Sequence, residues 1–100
     1  MSSIEFKELL SPITIKGMEL RNRIVMAPMG TMFSTGDSFV SQRLKDYYGE
    51  RAKGGIGLIT VEAGCVYYPE GKAIHHQLGL YDDKFIPGLK ELVDVIHMHG

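Results

Sequence analysis

The residues predict an α/β fold made of parallel βα units, and three observations carry that prediction. Two apolar runs, Arg23-Ile24-Val25-Met26-Ala27 and Ile56-Gly57-Leu58-Ile59-Thr60-Val61, read as strands. Each is followed by a loop and then by a stretch with apolar residues at three- and four-residue spacing, the mark of a helix. Both strands are nearly continuous in apolar character, as parallel strands covered on both faces are. Alternation of strand and helix builds parallel sheets. Periodicity alone fits a closed barrel and a doubly wound open sheet equally well. Two such units leave exposed sheet edges and a half-covered core, so the 100 residues are expected to be the front of a larger domain.

Each element has a local reason. Ile13, Ile15, Met18 and Leu20 alternate about Lys16-Gly17, which predicts a short hairpin able to plug the bottom of a barrel. Pro28 ends the first strand because it lacks the N–H a central strand must donate. Residues 29–40 form a loop longer than most strand-to-helix connections, with Gly30, Gly36 and Asp37 as turn formers. Ser41 caps a helix from Gln42 to Lys53, whose inward stripe is Leu44, Tyr47, Tyr48 and Ala52. Gly54-Gly55 stops it. A second long loop runs from Gly64 to Tyr81 and turns at Pro69-Glu70-Gly71. Asp82 or Asp83 caps the last helix, with Phe85, Ile86, Leu89, Leu92, Val93 and Ile96 on one face and Pro87 tolerated in its first turn.

Composition narrows the classes. The chain is 44% apolar and 23% charged, which is ordinary for a globular protein. A net charge of −1 points to neither nucleic acid nor an anionic membrane surface. No apolar run is long enough to span a bilayer, and Met1–Lys7 lacks a charged-then-apolar leader pattern. One cysteine, Cys65, cannot form an internal disulfide, so a reducing cytoplasm is the expected compartment.

Candidate chemistry gathers at the carboxyl ends of the two strands, the active-site face of parallel α/β proteins. Ala27, Pro28, Met29 and Gly30 form a small-residue rim after strand one, and Thr31 adds a hydroxyl. Glu62-Ala63-Gly64-Cys65 ends strand two at the same level. The bland reading of the first segment is a Pro/Gly loop exit without a ligand. Glu62 reads as a paired structural carboxylate and Cys65 as an inert thiol. Met26, Met29 and Met32 are either gap-filling core or a soft surface against a flat ligand, and Tyr67-Tyr68 either cover a cavity or pack on a neighbouring loop. His75 and His76, adjacent on an extended segment, point apart and make a poor chelate. His97 and His99 read as favourable charges at a helix C-terminus. Neither a catalytic triad, a phosphate loop nor a GxGxxG turn is present.

The wording of the strands is more specific than their pattern. Leu20-Arg21-Asn22-Arg23-Ile24-Val25-Met26-Ala27-Pro28-Met29 resembles the opening strand of the old yellow enzyme family of FMN-dependent NAD(P)H oxidoreductases. Tyr47-Tyr48-Gly49-Glu50-Arg51-Ala52-Lys53-Gly54-Gly55-Ile56-Gly57-Leu58-Ile59 is similar to its first helix and second strand, and Glu62-Ala63 and Leu92–Gly100 match in kind and order. The resemblance covers the chain from Leu9 onward.

It implies the N-terminal part of a TIM (β/α)8 barrel, with the hairpin and the first two βα units in residues 1–100 and the rest of the barrel outside them. Ala27, Pro28, Met29 and Gly30 would line FMN from strand one, and Ala63 from strand two. Many members place a threonine or cysteine after the Pro-x pair, against the flavin C4 carbonyl. Gly30 stands there in this chain and Thr31 follows, which makes Thr31 a further candidate contact. The implied reaction is ping-pong: NADH or NADPH reduces FMN, and reduced flavin passes hydride to an activated alkene. The catalytic groups of that reaction belong to later strands, so no catalytic residue is expected in this segment, and the segment alone is expected to be inactive. The Ala-Pro-Met-Gly-Thr wording is more similar to the longer branch of the family, which carries an iron–sulfur cluster downstream. Expected partners are a small-molecule substrate, the rest of the barrel and a second copy of the chain, with neither nucleic acid nor membrane. The alternative from another class is a small non-catalytic α/β module that binds a ligand or partner.

Overall fold

A tight hairpin and two parallel βα units, the second with a further parallel strand pair between its strand and its helix, follow one another in the computed structural model, which describes residues 5–100. Residues 1–4, part of the segment read for a leader pattern, lie outside the described residues. β1 (Ile13–Ile15) pairs antiparallel with β2 (Met18–Leu20), Ile13 opposite Leu20. Lys16 (φ 47°) and Gly17 (φ 85°) take the turn, a two-residue connection with both residues left-handed. This is the predicted hairpin.

β3 (Val25–Met26) pairs parallel with β4 (Leu58–Ile59), Val25 beside Leu58 and Met26 beside Ile59. The ladders are shorter than the predicted runs Arg23–Ala27 and Ile56–Val61. Bonds from Gly57 N and Leu58 N to Ile24 O, and from Thr60 N to Met26 O, extend the contact between the two chains. Each strand has one hydrogen-bonded neighbour among the described residues, and a strand paired on one side only registers fewer bridges.

α1 (Gln42–Lys53) falls where the periodicity put it. The Ser41 hydroxyl accepts from Leu44 N at 3.0 Å and donates to Phe33 O, so the cap also fastens the preceding loop. Gly54 closes the helix and Gly55, at φ 107°, turns the chain toward β4. Gly49 is buried in mid-helix, where glycine is a poor helix former. A Cβ there would stand 3.0 Å from Val95 Cγ1, so its absence lets the second helix lie close.

The loop predicted from Gly64 to Tyr81 contains structure that the sequence reading lacked. β5 (Gly64–Cys65) and β6 (Leu78–Gly79) pair parallel, joined by residues 66–77. Two-residue strands carry too short a pattern to be seen, and their glycines are read more readily as turn formers. At Gly79 a Cβ would meet the Phe85 ring at 2.6 Å, so this glycine serves a close packing contact. Asp82 accepts from Lys84 N at 2.9 Å and caps a single 3-10 turn, Asp83–Phe85, that leads into α2 (Ile86–His97).

Leu44 and Tyr48 of α1, Leu78 of β6 and Leu92 of α2 form the fully buried centre, with Met26, Phe33, Val40, Tyr47, Ile59, Val61, Leu89 and Ile96 packed around it. Two residues assigned to the inward face of α2 differ: Ile86 is 57% and Val93 42% exposed. Seven residues apart, they make a flank stripe beside the Leu89–Leu92–Ile96 stripe that packs against the buried centre. The radius of gyration, 15.7 Å, exceeds the ~13 Å of a compact 100-residue domain. The layers are open.

The hairpin end is tied down by Arg21. Its guanidinium donates to Ala52 O at the end of α1 (2.9 Å), to Ile56 O before β4 (3.3 Å) and to His99 O after α2 (2.5 Å). Beside it, the Asn22 side chain accepts from Ile24 N and donates to Gly55 O. One fork thus collects three chain segments. Arg21→Ala is expected to lower unfolding free energy by about 1–3 kcal/mol, read by urea denaturation. Arg21→Lys should recover only part of it, because an ammonium cannot present the planar fork.

Candidate functional site

The register of β3 and β4 brings the two predicted rim segments side by side. Beyond the ladder, Ala27, Pro28, Met29 and Gly30 continue from β3 and Ala63 from β4, and all five are exposed. None carries a polar side-chain group. Met26 divides from the other methionines: it packs on the core, whereas Met29 and Met32 are 59% and 52% exposed.

Behind the rim lies a buried polar node. Glu62 is 4% exposed. Its Oε1 accepts from Thr31 Oγ1 at 2.8 Å and from the Tyr48 hydroxyl at 3.1 Å, and Thr31 N points at Oε2 from 3.4 Å. The Tyr48 oxygen in turn accepts from Glu62 N at 3.0 Å. Neither lysine, arginine nor histidine pairs with this carboxylate among the described residues. Its compensation comes from hydroxyl and amide donors, as a buried carboxylate requires. The paired structural carboxylate predicted at Glu62 is therefore present, with hydroxyl partners in place of a cation. Thr31, the candidate flavin contact, gives its proton to Glu62 and accepts from Phe33 N at 3.1 Å.

Tyr48 was assigned to the apolar stripe of α1, and the sequence reading missed its polar role. A fully buried tyrosine must place its hydroxyl on a partner, and here that partner is Glu62. Its pKa is pushed from 10.0 to about 12, first by burial and then, in the same direction, by the charge of Glu62, with the hydrogen bond from Glu62 N opposing.

The second loop folds toward the first. Ile74 Cδ1 stands 3.1 Å from where a Gly30 Cβ would be. His76, at φ 55°, donates from Nδ1 to Ser34 O at 2.8 Å. Buried Gln77 accepts from Ala73 N at 2.7 Å and donates to Ala63 O at 3.4 Å. His75 is exposed and makes no such contact. Cys65 is fully buried, in keeping with an inert thiol. Tyr68 stacks on Tyr81 at 5.3 Å, which is packing against a neighbouring segment, while Tyr67 remains 67% exposed. His97 and His99 fall at the end of α2, where the backbone of His99 receives Arg21. No group of three or more His, Cys, Asp or Glu is placed to hold a metal among the described residues.

An apolar, exposed rim thus stands at the carboxyl ends of adjacent parallel strands. Residues 8–100 match the model of the NADH:flavin oxidoreductase / NADH oxidase family. The chain belongs to that family. It has the fold of the first part of an old yellow enzyme TIM barrel, a hairpin and two βα units. It is 48% identical over 95 residues to an NADH oxidase of Thermoanaerobacter brockii, covering 95% of this chain and 15% of that protein. It is also 48% identical over 94 residues to an NADPH dehydrogenase of Geobacillus thermodenitrificans (strain NG80-2), covering 92% of this chain and 27% of the relative. Among solved structures, a 2-naphthoyl-CoA reductase complex superposes with TM-score 0.92 at 33% identity, over 96% of this chain and 14% of the other. The chain thus spans well under a third of the relatives it matches. Identity is equal to a long relative and to one little more than half its length.

The Tyr48 shift sets a pH expectation. A neutral phenol favoured by the fold adds stability that is whole below pH 10.0, the unfolded value, and is lost as pH rises toward about 12. Thermal unfolding followed between these limits should fall more steeply for the native sequence than for Tyr48→Phe. Equal slopes would mean that the phenol is not held by the fold.

Proposed function

We propose that these residues form one wall of the flavin site in an FMN-dependent NAD(P)H oxidoreductase. The observation that carries the reading is the rim: Ala27, Pro28, Met29, Gly30 and Ala63, exposed together on the active-site face of two parallel strands. FMN supplies reversible hydride chemistry, with NADH or NADPH as reductant and an activated alkene as acceptor. The chain's own part is to bind and to orient. Small residues allow close approach of a ring to the backbone, Met29 offers a polarisable contact, and Pro28 fixes the direction of the segment. Thr31 supports that segment through Glu62. Nothing in residues 5–100 is arranged as nucleophile and base, so proton transfer to the acceptor falls to residues outside this segment, in the rest of the barrel. The exposed flanks of the strands and of α2 are surfaces for those further units.

The whole protein carrying this segment should show a flavin absorption band near roughly 450 nm that bleaches on anaerobic addition of NADH or NADPH. A colourless protein that FMN does not reconstitute would sink this reading and favour a non-catalytic binding module. Purified alone, the 100-residue chain should give no NADH-dependent turnover, because a two-unit sheet leaves the cofactor and acceptor sites unclosed. Robust turnover by that chain would refute the assignment of catalysis to the rest of the barrel.

A further inference from the structure

Glu62 and Thr31 stand at the two ends of the rim. Thr31 directly follows Gly30, and Glu62 directly precedes Ala63. The 2.8 Å bond between them cross-links the wall segment from β3 to the wall residue from β4, above the last ladder pair. The same carboxylate is held from behind by Tyr48 of α1, so its position is fixed independently of any ligand. A buried carboxylate without a cation is costly to keep. It is retained here on two hydroxyls, one of them on the rim.

We propose that Glu62 is a positioning residue for the flavin: by holding the Thr31 hydroxyl it sets the spacing of the two rim segments, and it acts on FMN only through Thr31. The inference rests on the flavin reading above. In this arrangement Thr31 is a tether, and its hydroxyl proton is already given to Glu62. A rim displaced by a fraction of an ångström loses complementarity to a rigid ring, and one charge-assisted hydrogen bond accounts for about tenfold in affinity.

The test is FMN binding to the whole apoprotein, titrated by flavin fluorescence quenching, with thermal unfolding as the control for folding. Thr31→Val, which removes the hydroxyl at constant shape, should weaken FMN about tenfold, and Thr31→Ser should restore it. Glu62→Gln should weaken FMN several-fold by itself, since a neutral amide oxygen holds the Thr31 hydroxyl less strongly than a carboxylate does. In the Thr31→Val background, Glu62→Gln should change affinity by less than about twofold, because the bond it acts through is gone. Glu62→Asp keeps the charge and withdraws the carboxylate by one methylene. It should give the same pattern and replaces Glu62→Gln if that variant does not fold. Losses that add across the pair, or an effect of Thr31→Val with none from either Glu62 variant, would make Thr31 a direct flavin contact and overturn the tether. Failure of the native protein to bind FMN would instead overturn the flavin reading on which the tether stands.

Discussion

The mutual hydrogen bonds of Tyr48 and Glu62 are the contact from which the rest of the structure is arranged. The phenol donates to the carboxylate and accepts from the same residue's amide. One side chain of α1 thereby fixes both the side chain and the backbone of Glu62, three residues beyond β4. Because Glu62 also receives Thr31, the loop leaving β3 is fixed by the same atoms. Helix, second strand and first loop meet at a single carboxylate. Tyr48 can occupy that place because its ring is part of the buried centre with Leu44, Leu78 and Leu92, so hydrophobic burial holds the polar contact in a low-dielectric setting where it is strong.

At the opposite end of the strands a second polar device does the complementary work. Arg21 donates to carbonyls at the end of α1, on the approach to β4 and after α2, groups of the kind that every helix terminus must satisfy somehow. Asn22 satisfies the turn at Gly55 in the same way. The two ends divide the labour: Arg21 and Asn22 close the hairpin face, and Glu62 with Tyr48 and Thr31 braces the rim face. Exposure follows this division, since the rim carries small apolar residues that none of these polar groups covers.

What was legible in the sequence follows from how strongly each signal is local. α1 and its Ser41 cap, the Lys16-Gly17 hairpin and the stop at Gly54-Gly55 are set by residues within a few positions of each other, and all stand where predicted. The strand exits were legible because Pro and Gly mark them, and residues 27–30 and Ala63 follow β3 and β4 side by side as read. The β5–β6 pair was not, because two-residue strands are made by the tertiary approach of Gly64 to Leu80 and Gly79 to Phe85, contacts without a periodic trace. The outward turn of Ile86 and Val93 was hidden for a related reason: a helix with two apolar stripes states that both are to be covered, and says nothing of by what.

Those two stripes, with the one-sided ladders of β3 and β4, carry the last step. A strand in a closed barrel has neighbours on both sides and a helix has one on each flank. Among the described residues β3 and β4 pair only with each other, and α2 packs against α1 on one flank while Ile86 and Val93 stand out on the other. Neighbours of the kind already present would cover them: a strand beside each free edge and a helix beside α2. A non-catalytic module would need one compact surface to cover all of these at once, whereas repetition of the βα unit covers each with the next. The same repetition would bring further strand ends round to the rim face and leave the Glu62 node buried behind it, which is how a wall made of two strands becomes one side of a pocket.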